Sequence, residues 1–368
     1  MSVRRRAPLS QPALRLAREL KRCEAQVALL DRVRPLNLAA ELSRLSAGFA
    51  AGRRPSPAFE HGPRAELSEL RRLLVEMARL LDDEGGAETR LLAGRARELE
   101  LEAQLCEHVG EQTFAALAAK RFPLPEDPAA AQRFAELLLT TPGPAEPPAS
   151  LHLSDDARDA KSLWSKLSQR VSARRWPVRV EIAPGLVSLA AVADGVVRVR
   201  PGARLSEAVA ERIALHEVEG HVRPRVSGAA LGGAFLAGTP RASEDEEGRA
   251  ILLEERAGLL APERRRELSR RYLAAQSVRQ GAELWETVEL LGRAGAPATS
   301  AIELACRVHR GGGLGRELIY LTGYARVSAG LGARPELERL LCSGRVSLDA
   351  AAELLGGSVE LDDHGDMV

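Results

Sequence analysis

Residues 216–221 read His-Glu-Val-Glu-Gly-His, and histidine is otherwise scarce, with seven in 368 residues. In many zinc hydrolases two histidines on one helix bind the metal, and the glutamate directly after the first is the general base. We therefore predict that His216 and His221 are metal ligands and that Glu217 is the base. The alternative is an exposed helix on which Glu217 and His221, four residues apart, simply form an ion pair.

The spacing of the two histidines differs from the common H-E-x-x-H pattern by one residue. Five residues at about 100° each turn the second imidazole about 140° away from the first on a regular helix. Both side chains reach one metal only if the helix contains an i→i+5 bulge, a feature that is frequent at functional sites. Gly220 lowers the cost of distorting the backbone there, and Pro224 predicts that the helix ends soon after His221.

The composition argues against nucleic-acid and membrane partners. The chain has 52 basic and 51 acidic residues, a net charge of +1, and only 3% aromatic residues. A balanced charge gives no strong field for phosphates or anionic lipids, and few aromatic rings are present to stack on bases. The basic residues are mostly arginine, which is typical of a GC-rich, bacterial genome.

The cysteines and the N-terminal segment point to the cytoplasm. The four cysteines are far apart and form no C-x-x-C pair, so neither a disulfide framework nor a cysteine-built zinc site is expected. Residues 9–30 are repeatedly interrupted by charges, so no signal peptide or membrane anchor is predicted. We therefore predict a protein of the reducing cytoplasm.

The domain organisation is inferred from one proline-rich segment. Thr140–Ser150 (TTPGPAEPPAS) contains four prolines and is the clearest linker in the chain. We expect a helical N-terminal region, 1–145, and a metallopeptidase-like catalytic region, 146–368.

The predicted fold class is α+β and predominantly helical. Trp176–Ile182 and Val196–Val199 alternate apolar and polar residues, which is typical of strands. Residues 10–48, 64–120 and 244–355 have apolar residues at helical spacing. The strands precede residue 216 directly, so we expect a small antiparallel sheet next to a zinc-binding helix.

An acidic cluster at Glu244–Glu247 is the natural source of a third ligand. A catalytic zinc ion has three protein ligands and one position for water. Acidic residues are also common at helix N-termini for electrostatic reasons. The composition does not distinguish which of the four carboxylates turns inward, and Glu254 remains an alternative.

Several motifs together resemble one metallopeptidase family. HEVEGH, followed about 25 residues later by Glu-Glu-Gly-Arg-Ala at 246–250, is similar to the HExxxH and QEGLA motifs of the microtubule-associated tyrosine carboxypeptidases and their bacterial relatives. Residues 307–312 (RVHRGG) and 317–323 (ELIYLTG) resemble the RVxRGG and YLxG segments. Pro35-Leu36-Asn37 and residues 57–63 resemble two N-terminal elements of the family. The likeness spans roughly residues 30–340.

The resemblance implies a zinc carboxypeptidase-like site. It matches His216 and His221 to the family's histidine ligands, Glu247 to its glutamate ligand and Glu217 to its catalytic glutamate. The departures are Glu246 in place of Gln, Arg249 in place of Leu, and residues 219–220 in place of Gly-Thr. None of them removes a ligand or the base.

The same segments suggest further candidates. Tyr320 and Tyr324 are candidates for the donor that stabilises the oxyanion. Arg307 and Arg310 precede a glycine-rich break at 311–313, and a planar guanidinium suits the recognition of a terminal carboxylate. The alternative for both arginines is a solvated or ion-paired side chain.

We therefore expect a zinc-dependent metallopeptidase that hydrolyses a C-terminal peptide bond of a peptide or protein, with Glu217 as the general base. The alternative is a non-catalytic zinc-binding protein of the same fold that regulates or binds a partner. The lack of cysteine near His216 favours the open, catalytic type of site.

Overall fold

The computed structural model describes residues 9–142, 150–186, 188–193 and 195–356. The α-helices of these residues are α1 (Gln11–Val27), α2 (Leu29–Arg32), α3 (Leu38–Ala50), α4 (Ser68–Glu84), α5 (Ala87–Glu107), α6 (Phe114–Arg121), α7 (Pro128–Thr140), α8 (Leu163–Arg174), α9 (Glu207–Leu215), α10 (Arg223–Leu231), α11 (Gly233–Ala237), α12 (Ala242–Arg256), α13 (Pro262–Arg279), α14 (Leu284–Arg293), α15 (Ala298–Gly313), α16 (Leu318–Ala333), α17 (Glu338–Ser343) and α18 (Leu348–Gly356). A π-helical segment, His216–Val222, lies between α9 and α10, and a 3-10 turn covers Pro335–Leu337. Within the described ranges, none of the helices combines the length and the apolarity needed to cross a bilayer.

Five short strands form two small sheets. They are β1 (Leu151–Leu153), β2 (Arg179–Ile182), β3 (Ala190–Ala193), β4 (Val196–Val199) and β5 (Arg204–Ser206). β1 pairs with β5, and β3 with β4, in antiparallel register, while β2 runs parallel to β4 at the other edge of a β2-β4-β3 sheet. The predicted class, predominantly helical α+β with a small antiparallel sheet, is confirmed; the β2–β4 pair is a parallel addition to it.

The chain divides into two compact units, each discontinuous in sequence. Unit 1 comprises Met1–Ala17, Pro142–Pro262 and Gly323–Val368, and unit 2 comprises Arg18–Thr141 and Glu263–Thr322. The boundary that the sequence suggests, between residues 145 and 146, lies outside the described residues.

In unit 1 the π-helical segment is anchored on the sheet by its apolar residues. β5 leads directly into α9, where Ser206 caps the helix by accepting a hydrogen bond from the backbone N–H of Val209. The buried cluster around the segment includes Leu163, Leu167, Val171, Val197, Val199, Ile213, Val218 and Val222. Burying each valine or leucine contributes about 1.5–3 kcal/mol. This burial fixes the part of the helix that carries the histidines.

In unit 2 the glycine-rich break after Arg310 is real. The backbone of α15 leaves helical geometry at Arg310, and Gly311 and Gly312 have φ values of 70° and 108°. A Cβ atom on Gly311 would lie 2.7 Å from the Cζ atom of Phe114, so the aromatic ring of α6 requires glycine there. The break predicted at residues 311–313 is confirmed.

Candidate metal centre

The two histidines lie on a π-helical turn. The backbone N–H of Arg223 donates to the carbonyl of Val218, five residues earlier, which is the i→i+5 pattern that the spacing required. As a result, the imidazoles of His216 and His221 lie together, with 5.0 Å between ring centroids and 3.3 Å between their Nε2 atoms. The predicted bulge is present and brings the two side chains to one point.

The prediction that Pro224 ends the helix is wrong. α10 continues the π-helical segment as far as Leu231, with Pro224 in its first turn, where proline is tolerated. Pro224 has no N–H, so one carbonyl group of the widened turn lacks its backbone donor. The guanidinium of Arg249 donates to the carbonyls of Glu219 and Gly220, over 2.7 Å each.

Two glycines allow α12 to approach the histidines. A Cβ atom on Gly220 would lie 2.6 Å from the Cβ atom of Ala250, and one on Gly248 would lie 2.2 Å from the carbonyl oxygen of Gly323. Gly220 is therefore needed for close packing against α12, and its φ is not in the positive region that favours glycine. Gly248 and Gly323 belong to the segments that resemble QEGLA and YLxG, and their contact packs α12 against α16.

This approach brings Glu247 to the two histidines. Its Oε2 atom lies 3.4 Å from Nε2 of His216 and 3.6 Å from Nε2 of His221, and all three residues are buried. In a tetrahedral zinc site with bonds of about 2.0–2.2 Å, neighbouring donor atoms lie about 3.3–3.6 Å apart. The three donor atoms therefore already have the spacing of three corners of such a tetrahedron. His216, His221 and Glu247 form a group that can hold a metal ion.

A carboxylate faces the second nitrogen of each imidazole. Nδ1 of His216 lies 2.7 Å from Oε1 of Glu254, and Nδ1 of His221 lies 3.0 Å from Oε1 of Glu246. Metal-binding histidines usually donate their other N–H to such a group, which fixes the tautomer and the ring orientation. When His216 donates from Nδ1 to Glu254, its Nε2 atom is the acceptor at the shared point, whereas Nδ1 of His221 lies at ion-pair distance from Glu246 without a hydrogen bond.

Glu246 is kept ionised by two arginines. Nη1 of Arg225 lies 2.5 Å from its Oε1 atom, and Nε of Arg345 lies 3.4 Å from its Oε2 atom. Burial by itself raises the pKa of Glu246, but Arg225 and His221 hold it well below the usual range. The negative charge of Glu246, which stands where the family usually has Gln, is therefore balanced by these neighbouring arginines.

The carboxylates also set the electrostatics of the histidines. Burial lowers the pKa of His216, but hydrogen bonds to Glu247 and Glu254 outweigh it, and the pKa is raised. At His221 burial again opposes the shift, and the charges of Glu246 and Glu247 raise the pKa to about 10. A site that draws protons onto both imidazoles also attracts a metal cation, which replaces those protons when it binds.

The other acidic residues of the cluster turn elsewhere. Both carboxylate oxygens of Asp245 accept hydrogen bonds from Arg326 over 2.7 Å, and Glu244 pairs with Arg241 at 3.0 Å. Glu247 is thus the member of this cluster that lies in the three-residue group.

The sequence comparison agrees with the motifs. Residues 47–357 match the family model of the microtubule-associated tyrosine carboxypeptidases. The chain belongs to this family. The matched range includes residues 216–221, 246–250 and 307–323, whereas the P-x-N element at 35–37 lies before it. A search of curated proteins and a search of solved structures each gave no significant match.

Within the family's HExxxH motif, the glutamate after the first histidine is unengaged. Glu217 is half-buried, and among the described residues its carboxylate has no hydrogen-bond or ion-pair partner. Tyr324, in the YLxG-like segment, lies in unit 1 as well, and its hydroxyl donates to Oε1 of Glu255 over 2.6 Å. The proton of the Tyr324 hydroxyl is therefore used in the bond to Glu255, whereas both carboxylate oxygens of Glu217 are available.

The remaining candidates of the family motifs lie in unit 2. Arg307 donates from Nε to Oε1 of Glu317 over 2.6 Å, and Nη2 of Arg310 lies 3.7 Å from the same oxygen. The hydroxyl of Tyr320 accepts a hydrogen bond from Arg316 over 3.2 Å. Glu317, which is fully buried, was not singled out by the sequence, although it lies seven residues after a predicted arginine.

Sequence reasoning also missed the partner role of Glu254. The signal was available: Glu247 and Glu254 are seven residues apart, so on α12 they differ by only about 20° and share a face. If one of them reaches the metal group, the other lies two turns along the same face. Glu254 was considered only as an alternative ligand, not as a partner of a histidine.

Proposed function

We propose that this protein is a zinc-dependent carboxypeptidase that hydrolyses the C-terminal peptide bond of a peptide or protein. The observation that carries the proposal is the convergence of two imidazole nitrogens and one carboxylate oxygen at 3.3–3.6 Å from one another. Nitrogen and oxygen donors at tetrahedral spacing suit Zn²⁺. Family membership supplies the reaction class.

His216, His221 and Glu247 would hold the zinc ion, and three protein ligands leave one coordination position for solvent. Bound zinc supplies Lewis acidity, which lowers the pKa of its water towards about 7 and polarises the scissile carbonyl. Glu217 takes the proton from the attacking water and delivers it to the leaving amine. Its half-buried carboxylate, without a partner among the described residues, supports this assignment.

Four further residues are proposed to act on the substrate. Tyr320 and Tyr324 are the proposed donors to the oxyanion, Tyr324 by releasing its hydrogen bond to Glu255, and Arg307 and Arg310 are the proposed partners of the terminal carboxylate. Tyr320 accepts its hydrogen bond from Arg316, so its own proton is not used in that bond. Nε of Arg310 is buried and has no hydrogen-bond partner in the described structure, which leaves one donor for an incoming carboxylate.

We further propose that the protein works in the cytoplasm. All four cysteines are free, and three of them are buried, as expected for a protein of a reducing compartment. The substrate would be a peptide or protein with a free C-terminus, and no nucleic acid or membrane partner is proposed.

Metal analysis combined with a peptide library tests the proposal. The purified protein should contain about one zinc per chain, and a library of peptides with varied C-termini should lose single C-terminal residues in its presence. The Glu217→Gln variant should keep its zinc and lose hydrolysis by at least about a hundredfold. Zinc binding without hydrolysis of any library member would favour the non-catalytic alternative; hydrolysis unchanged in Glu217→Gln would remove the assigned base.

A further inference from the structure

Arg249 is a buried arginine whose hydrogen bonds go to the helix of the histidines. Only 2% of its surface is exposed. Its Nη2 atom donates to the carbonyl oxygens of Glu219 and Gly220 over 2.7 Å each, and Nη1 lies 3.4 Å from Sγ of Cys342. Because this buried guanidinium donates to two neighbouring main-chain carbonyls, it holds the backbone at residues 219–220 in one conformation.

Pro224 deprives one of those two carbonyls of its donor in either helical register. In π-helical register the carbonyl of residue 219 would receive the N–H of residue 224, and in α-helical register the carbonyl of residue 220 would receive it. Residue 224 is proline and has no N–H. Because Arg249 donates to both carbonyls, it replaces the missing donor at the passage from the π-helical segment to α10.

Arg249 also connects the two elements that carry the metal group. It lies on α12 two residues after Glu247, while its guanidinium binds the main chain just before His221. If the π-helical turn relaxed to a regular α-helix, His221 would rotate by about 100° relative to His216. The 3.3 Å approach of the two Nε2 atoms would then be lost.

We propose that Arg249 is a positioning residue of the metal centre: it supplies the donor missing at Pro224 and so maintains the π-helical register that places His221 beside His216. The inference rests on the proposed zinc site. It assigns a role to a residue at which this chain departs from the family's QEGLA motif, where leucine, which cannot donate, is usual. Arg249 does not touch the metal or the substrate in this proposal.

The test is a rescue experiment between Arg249 and Pro224. Arg249→Met removes the donors and retains the apolar stem, and Arg249→Lys retains a cationic donor. Pro224→Ala restores one backbone N–H. Arg256→Met, on the same helix but exposed and paired with Glu338, is the matched control.

Zinc dissociation constants are measured by competition with a chromogenic chelator, and melting temperatures are measured on metal-free protein. Arg249→Met should weaken zinc binding by about 10- to 100-fold, as the loss of an outer-shell partner does, and Arg249→Lys by less. Adding Pro224→Ala to Arg249→Met should recover about 2- to 10-fold of the affinity, since it restores one hydrogen bond. Arg256→Met should leave the affinity within about twofold of wild type.

The metal-free melting temperature gives a second readout. Arg249→Met should melt lower than Arg256→Met, and Pro224→Ala should raise the melting temperature of Arg249→Met. If Arg249→Met does not fold, recovery of folding in the double variant supports the proposal, and failure of the double variant overturns it.

The inference and the proposed function fail differently. Wild-type protein that binds no zinc would remove the proposed function. Wild-type protein that binds zinc, together with an Arg249→Met variant of equal affinity, or one that Pro224→Ala does not rescue, would overturn the role of Arg249 alone.

Discussion

Two buried charge clusters, one in each unit, are built on opposite principles. In unit 1, acceptor atoms of His216, His221 and Glu247 face one another within 3.6 Å. In unit 2, Glu317 lies between arginines, with Arg307 at 2.6 Å, so that donors face an acceptor. In the second arrangement opposite charges compensate one another, whereas the first is favourable only with a proton or a cation between the acceptors. Converging acceptors therefore indicate a cation site, whereas in unit 2 the carboxylate of Glu317 holds guanidinium groups in place.

The largest expected effect is on the metal group itself. His221→Ala removes one of three donors and should weaken zinc binding by roughly a thousandfold or more. The metal-free protein should also lose stability, because the raised pKa of His221 means that its charged form stabilises the folded chain, and the variant leaves Glu246 and Glu247 without that counter-charge. Zinc titration measures the affinity, and thermal melting measures the stability of the metal-free protein. A variant that keeps its zinc affinity would show that His221 does not bind zinc together with His216 and Glu247.

In unit 2 a change of charge is expected to lower stability without affecting zinc binding. Glu317→Gln leaves the partly buried guanidinium of Arg307 without its counter-charge, which costs up to about 3 kcal/mol, the lower end for a broken buried pair. The denaturant concentration at the unfolding midpoint should therefore fall strongly. The zinc affinity of the folded molecules should stay within about twofold of wild type. A Glu317→Gln protein as stable as wild type would contradict this stabilising role of Glu317.

Local patterns predicted the part of the site that lies within one helix. The HEVEGH spacing implied both the shared metal ligands and the bulge, because ligand geometry and helical periodicity depend only on neighbouring residues. The helical class and the small sheet followed from periodicity for the same reason. The spacing did not reveal that Pro224 sits inside a continuous helix, because the replacement donor, Arg249, is 25 residues away.

The inward carboxylate could not be chosen from local sequence. Which of Glu244–Glu247 reaches the histidines depends on how α12 crosses the π-helical segment. That crossing is set by the contacts of Gly220 with Ala250 and of Gly248 with Gly323. The arginine that binds Asp245, Arg326, lies 81 residues away in the chain, so the local sequence does not show that Asp245 is already paired.

A smaller effect is expected from the outer carboxylate of His216. Glu254→Gln keeps an acceptor opposite Nδ1 but removes the charge, and should weaken zinc binding by about tenfold. Glu244→Gln, on the same helix, is the control and should bind zinc as wild type does, since Glu244 pairs with Arg241. Equal affinities for the two variants would mean that the Glu254 carboxylate contributes nothing to the metal group.

The smallest effect distinguishes two kinds of buried histidine. His309 in unit 2 is hydrogen-bonded to the hydroxyl of Thr287 at 2.9 Å, and burial lowers its pKa to about 4, opposite to the raised pKa of His221 among carboxylates. The folded state favours the neutral form of His309. Its contribution to the free energy of unfolding is therefore fully present above the unfolded pKa of about 6.5, and it is lost as the pH falls from about 6.5 to 4. Between pH 7.5 and 5.5 the loss should be about 1 kcal/mol.

Denaturant unfolding of metal-free wild type and His309→Gln at both pH values tests this prediction. The loss equals the difference between the two proteins in how much their free energy of unfolding changes with pH, because they share all other titrating groups. Parallel pH dependences in the two proteins would mean that His309 is as easily protonated in the folded chain as in the unfolded one.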